Sequence, residues 1–211
     1  MMPPATPRMP LPGAIAALHG ARGEDDVVIT TMGAAREWMA LGTSPLDFVF
    51  LPSSMGQATS LGLGIALARP DRRVIVANGD GSMLMNLGSL VTIAAAAPRN
   101  LVVIVLANGV YEVTGAQPIP GSPTAHSPGV SVDFIGLARA AGIRTVFRFS
   151  DVADWTAKLR VVLRAEGPVF VLLDVAPVPG APGPRSPGPG AARARAFRDA
   201  LAARTAELPA G

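Results

Sequence analysis

A chain of 211 residues, 49% apolar and only 16% charged, has material for one substantial core and hardly for two. The net charge is +3, the aromatic content is 5% and no basic stripe is interleaved with aromatics, so a nucleic-acid-binding role is set aside. The absence of cysteine excludes a disulfide framework, a thiolate metal site and a cysteine nucleophile together.

In chain order, the proline-rich segment Met1 to Pro12 is expected to be flexible and lacks the apolar run of a signal peptide. Apolar runs of strand length then alternate with helical stretches. Strand Val27–Thr31 precedes a helix around Ala34–Leu41, and strand Phe48–Leu51 precedes the glycine-punctuated helix Gly56–Ala68. Arg73–Ala77 leads to a helix over Ser82–Ala97, and Leu101–Ala107 leads to an irregular loop. A helix at Val132–Ala141, a strand at Arg144–Phe149, a helix at Ser150–Glu166 and a strand at Val169–Val175 complete the pattern. The strands are continuously Val/Ile/Leu-rich, as in a parallel sheet covered on both faces. The expected fold is a single doubly wound α/β domain over residues 13–175. Residues 87–107 are apolar enough to suggest a membrane span, but Pro98, Arg99 and Asn100 interrupt them, so no membrane partner is expected and the cytoplasm is the expected compartment. Residues 176–190 are Pro/Gly-rich and read as an extended, mobile linker, followed in 191–211 by a helix at Ala191–Leu208 with Phe197, Leu201 and Ala202 as its apolar side.

The chemistry centres on Gly79-Asp80-Gly81-Ser82, which follows a strand and opens a helix. Doubly wound sheets bind ligands at this edge, where helix N–H groups and the dipole favour a phosphate. The Asp80 carboxylate would repel a phosphate unless a cation stood between them. Gly-Asp-Gly is by itself also a common turn. The second element is Asn108-Gly109-Val110-Tyr111 at the end of the next strand, with 26 residues between Gly81 and Asn108, enough for one helix and one returning strand. Asp80 and Asn108 thus reach the same edge. An Asp oxygen, an Asn oxygen and a loop carbonyl, with two phosphate oxygens and a water, complete an octahedron suited to Mg2+.

Gly-Asp-Gly, a gap of this length and then Asn resembles the signature of thiamine-diphosphate enzymes. The resemblance implies that thiamine diphosphate and Mg2+ are the cofactors and that Asp80, Asn108 and the Val110 carbonyl hold the metal. It also implies that Gly79, Gly81 and Ser82 line the diphosphate. Ser53-Ser54-Met55-Gly56 resembles the stretch before the signature in the decarboxylase branch, where an apolar residue at the position of Met55 supports the bent cofactor; an ordinary core methionine would look the same. Tyr111-Glu112-Val113-Thr114-Gly115-Ala116-Gln117-Pro118 is similar to the sulfopyruvate and phosphonopyruvate decarboxylases, whose second chain, where they are split, is about this long. Arg36-Glu37, Pro184-Arg185 and Arg195-Phe197-Arg198 match that group too. The chain departs from the family at Met32 and Ala34, where Gly and Thr are expected in a diphosphate-holding loop, at Ala107, and at Val113 and Ala116, where Ser/Thr and Gly are expected.

In this family a glutamate from a separate pyrimidine-binding domain activates the cofactor. Only 26 residues precede Val27, too few for such a domain, so a pyrimidine-binding alpha subunit is the expected partner in a hetero-oligomer. Glu24, Glu37, Glu112 and Glu166 read as solvated or capping residues. The implied reaction is decarboxylation of a small 2-oxo acid, with Tyr111, Thr114, Gln117 and His126 as substrate-side candidates. His126 falls in a Pro/Gly/Ser loop that could act as a lid, although an exposed loop histidine is the plainer reading. Two alternatives stay open: a carboligase of the acetolactate-synthase type, and a non-catalytic cofactor-binding subunit. A Rossmann dinucleotide site is disfavoured because no Gly-x-Gly-x-x-Gly follows the first strand.

Overall fold

A computed structural model describes residues 8–52, 55–122 and 131–203. The chain runs through β1 (Met9–Pro10), α1 (Leu11–Ala21), β2 (Val27–Thr30), α2 (Met32–Leu41), β3 (Asp47–Val49), α3 (Ala58–Ala68) and β4 (Val74–Gly79). It continues through α4 (Asp80–Leu84), α5 (Gly88–Ala96), β5 (Leu101–Ala107), β6 (Val110–Tyr111), a 3-10 turn (Glu112–Thr114) and β7 (Gln117–Pro118). The last elements are α6 (Phe134–Ala140), β8 (Thr145–Phe149), α7 (Val152–Arg164), β9 (Val169–Ala176) and α8 (Gly190–Ala202).

Among the described residues, seven strands form one parallel sheet in the order β3–β2–β4–β5–β9, with β8 and β1 both lying beyond β9. Successive side chains of the central strands alternate between two apolar layers, which is why those strands read as unbroken hydrophobic runs. Val28, Ile75, Ile104 and Val171 pack with α1, α2 and α7; Ile29, Val76, Val103 and Phe170 pack with α3, α5, α6 and α8. The buried Trp155 indole fastens α7 to α1 by donating to the Ala14 carbonyl at 3.1 Å. Small residues let α3 lie close on β4, since a Cβ on Gly62 would collide with Val76. Among the described residues no helix is long and apolar enough to cross a membrane.

The doubly wound parallel class is as expected from the sequence. The chain goes outward from β2 to β3, then returns to the other side of β2 as β4. This reversal puts a crevice at the carboxyl ends of β2 and β4, where such sheets take their ligands.

Four local expectations are corrected. The segment expected to be flexible up to residue 12 is structured from residue 8 onward, because buried Met9 pairs with Val175 at the sheet edge. The single helix expected over Ser82–Ala97 is two helices. The break falls at Met85–Leu87, where the Asn86 side chain donates to the Gly56 carbonyl at 2.8 Å instead of serving a continuous helix. The irregular loop after β5 contains a small antiparallel ribbon, β6 with β7. The Pro/Gly-rich segment is tied to its own domain: the Val178 N–H donates to Glu112 at 3.2 Å, and the Ser186 hydroxyl donates to the Leu51 carbonyl at 3.3 Å. Beyond it, α8 docks through Phe197, whose ring lies 4.8 Å from that of Phe48.

Candidate functional site

The register β4·β5 pairs Asn78 with Val105 and Gly79 with Leu106, so Asp80 and Asn108 leave adjacent strands at one edge. Gly79 is the N-cap of α4 and Asp80 its first residue. Asp80 is only 2% exposed; its Oδ1 accepts the Gly81 N–H at 2.8 Å and its Oδ2 accepts the Gly109 N–H at 2.7 Å. The second bond crosses from one signature element to the other, so the metal loop is docked on Asp80. Gly109 adopts φ +79, and a side chain there would also meet the Ser122 hydroxyl at 2.9 Å. Burial pushes the Asp80 carboxyl up to about 6, although the Gly109 and Gly81 N–H groups and the charge of Arg8 pull it down.

Asn108 is half-buried. Its Oδ1 accepts the Val110 N–H at 3.0 Å, its Nδ2 donates to Glu112 Oε2 at 3.0 Å, and its backbone carbonyl accepts from Arg8 Nη1 at 2.8 Å. Ser82 is buried and its hydroxyl accepts the Gly56 N–H at 2.8 Å, which joins the segment of Met55 to the first turn of α4. Met55 itself is half-buried. Tyr111 packs on Gly81, where a Cβ would collide with the ring at Cε1 and stand 2.9 Å from its Cδ1. Thr114 and Gln117 lie on the same ribbon, exposed and bonded to each other: the Thr114 hydroxyl donates to Gln117 Oε1 at 3.1 Å, and Gln117 Nε2 donates to the Thr114 carbonyl at 2.7 Å. His126 lies outside the described residues, as do Ser53 and Ser54.

The residues present fit a hard cation between protein and phosphate. Asp80 is a buried carboxylate that forms no ion pair among the described residues, the situation a bound cation relieves. Among the described residues no three His, Asp or Glu side chains cluster to hold a metal alone. A site made of one carboxylate, one amide and one carbonyl leaves the remaining positions to phosphate oxygens and water, which is how Mg2+ is usually held.

Three departures have a structural reading. Met32 occupies φ +49 and Ala116 φ +58, so both keep the left-handed backbone that the expected glycines would adopt freely. Ala34 is buried in the apolar layer under α2, so that position serves packing.

Glu112 was expected to be a solvated or capping residue; its side chain is instead 7% exposed and held by Arg36, Asn108 and Val178. Arg8 was not anticipated either. Asn108 is four residues from Glu112, but Arg36 and Val178 lie 76 and 66 residues away from it and Arg8 lies 100 from Asn108, so the enclosure of the carboxylate and the role of Arg8 had no local signal.

Residues 26–173 match the family model described as thiamine pyrophosphate enzyme, C-terminal TPP binding domain. The chain is 40% identical over 155 residues to the sulfopyruvate decarboxylase subunit beta of Methanothermobacter thermautotrophicus, covering 73% of this chain and 76% of that one. It is 39% identical over 170 residues to the phosphonopyruvate decarboxylase of Streptomyces viridochromogenes, covering 79% of this chain but 40% of that relative. The chain thus spans about two fifths of the length of that longer relative. The thiamine diphosphate-dependent 4-hydroxybenzoylformate decarboxylase of Rhodococcus jostii RHA1 superposes with a TM-score of 0.66 at 20% identity, over 83% of this chain and 34% of that one, a likeness of fold. With the Asp80–Gly109 junction at the crevice between its strands, the chain belongs to the thiamine pyrophosphate enzyme family and carries that family's C-terminal TPP-binding domain.

Proposed function

We propose that this chain is the diphosphate- and Mg2+-binding subunit of a two-chain thiamine-diphosphate-dependent 2-oxo acid decarboxylase, with sulfopyruvate or phosphonopyruvate as the substrate class. The observation that carries the reading is the buried Asp80 carboxylate bonded across to the Asn108–Gly109 turn. The similarity to a sulfopyruvate decarboxylase subunit beta, of which this chain covers 76%, supports a separate partner chain.

In this reading Asp80, Asn108 and the Val110 carbonyl hold Mg2+, and the N–H groups opening α4 receive the diphosphate. When bound, thiamine diphosphate supplies an electron sink for the pair released as a 2-oxo acid loses CO2. This chain's residues bind and orient. The bond from the Gly56 N–H to Ser82 ties the segment of Met55 to the first turn of α4, where its apolar side chain would support the cofactor. Tyr111, fixed over Gly81, would form the wall between metal loop and substrate, and Thr114 and Gln117 are its polar neighbours on that side, with His126, outside the described residues, as a further substrate-side candidate. The glutamate that activates the cofactor is supplied by a pyrimidine-binding partner subunit.

The test is isothermal titration of the chain with thiamine diphosphate and Mg2+, with and without the candidate partner. Binding that needs or tightens with the partner and is lost in Asp80→Ala is expected, followed by CO2 release from sulfopyruvate or phosphonopyruvate. No binding in either condition overturns the reading. Carboligation products with these acids would replace decarboxylation as the outcome of the same site, and turnover unaffected by Asp80→Ala would indicate a non-catalytic subunit.

A further inference from the structure

Glu112 ties three parts of the chain together. Its Oε1 accepts from Arg36 Nη2 of α2 at 3.1 Å, and its Oε2 accepts both Asn108 Nδ2 at 3.0 Å and the Val178 N–H at 3.2 Å. Arg36 is held in turn, donating to Glu37 Oε1 at 2.8 Å and to the Pro182 carbonyl at 3.4 Å. The carboxylate is thus enclosed by donors, and its charge is matched by one guanidinium.

The consequence lies at Asn108. The two ends of an asparagine amide have the same outline and opposite polarity, so the partners decide which end faces which way. A carboxylate only accepts, so only Nδ2 can face Glu112. Oδ1 is therefore turned to the other side, where it accepts the Val110 N–H at 3.0 Å and keeps a lone pair. An amide rotated by half a turn would present N–H donors to an incoming cation and leave two oxygens facing each other at Glu112.

We propose that Glu112 is a positioning residue that locks the Asn108 amide with its oxygen toward the metal, with Arg36 fixing the carboxylate and the segment after β9 closing over it. This inference rests on the reading of Asp80, Asn108 and Val110 as a Mg2+ site. It gives a charged residue beside the metal loop a task distinct from both ligation and activation of the cofactor.

The experiment titrates Mg2+ in the presence of thiamine diphosphate into the wild type, Glu112→Gln, Asn108→Asp and the double variant. Each is the full chain with the partner subunit the proposed function requires, and each is checked for folding by circular dichroism. A glutamine at 112 is isosteric but lets its own amide donate, so Asn108 can turn the wrong way; Mg2+ affinity is expected to fall about tenfold to a hundredfold. An aspartate at 108 has two equivalent oxygens and no wrong orientation, and glutamine can donate to one of them. The double variant is therefore expected to recover most of the lost affinity, which a merely structural role for Glu112 would not produce. Glu112→Gln binding Mg2+ as tightly as the wild type, or a double variant no better than the single, overturns the proposal. Unfolding of Glu112→Gln and of the double variant alike assigns Glu112 to the fold alone and overturns it equally. A wild type that binds neither Mg2+ nor thiamine diphosphate is the separate failure, that of the cofactor reading itself.

Discussion

The ring of Tyr111 rests on Gly81 so closely that the glycine has no room for a side chain: a Cβ there would also stand 3.1 Å from Ile119 Cγ2. This contact fastens the ribbon after the metal loop onto the turn that carries Asp80. In Gly81→Ala the ring must move, and the substitution is expected to cost about 1–3 kcal/mol of stability. Cofactor affinity should fall with it. The double variant Gly81→Ala/Tyr111→Val should recover most of the lost Tm in thermal unfolding; equal Tm values for Gly81→Ala and wild type would contradict the contact.

Asp80 makes the metal-free chain sensitive to pH. Its carboxyl is pushed up by burial from an ordinary 3.8 to about 6. The folded value lies above the unfolded one, so the contribution to stability is fully present below 3.8 and is lost as pH rises through about 6. By neutral pH the loss approaches about 3 kcal/mol. Tm of the metal-free chain should therefore drop on going from about pH 5 to about pH 7.5. Added Mg2+ and thiamine diphosphate should raise Tm more at the higher pH, where the carboxylate is already ionised. A shift of the same size at both pH values would count against a metal at Asp80.

Ala116 is exposed and sits at φ +58, a conformation that costs an L residue roughly 1 kcal/mol. Ala116→Gly should leave Tm unchanged or raise it, the relief being partly offset by the entropy of glycine in the unfolded chain. Ala116→Val should lower it, because a β-branched side chain is poorly tolerated there. Thermal unfolding of the pair checks the sign.

The last helix is held by Phe197, which is 8% exposed and packs on Phe48, and by Arg193, which donates to the carbonyls of Leu51 and Val49 at 2.8 and 2.5 Å. Phe197→Ala is expected to release α8 at a cost of about 3 kcal/mol. Limited proteolysis should then cut within residues 177–189 much faster than in the wild type. Equal cleavage rates would mean that the segment is mobile already.

The strands were legible because each is buried on both faces and therefore apolar throughout, with no alternation to dilute the signal. That Asp80 and Asn108 meet at one sheet edge was legible because the helical segment between the two strands and one parallel register fix their spacing. Glu112 was not, since Arg36 lies 76 residues away and Val178 lies 66 away, and nothing near Glu112 in sequence announces a buried carboxylate. Arg8 reaches Asn108 across 100 residues for the same reason. The segment after β9 misled by composition: proline and glycine favour an extended chain, but an extended chain still offers N–H and C=O groups, and here these find partners on the domain. The break near Asn86 was hidden because a short apolar run keeps helical periodicity even when one side chain in it is committed to a distant carbonyl.

The pairing of Met9 with Val175 places the first strand of the sheet beside the last one in the chain. A sheet whose first and last strands are neighbours takes its incoming and outgoing segments at one edge, so other segments can be joined there without pulling the sheet apart. The TPP-binding module is thus mechanically suited to life as a separate subunit or as a cassette within a longer polypeptide.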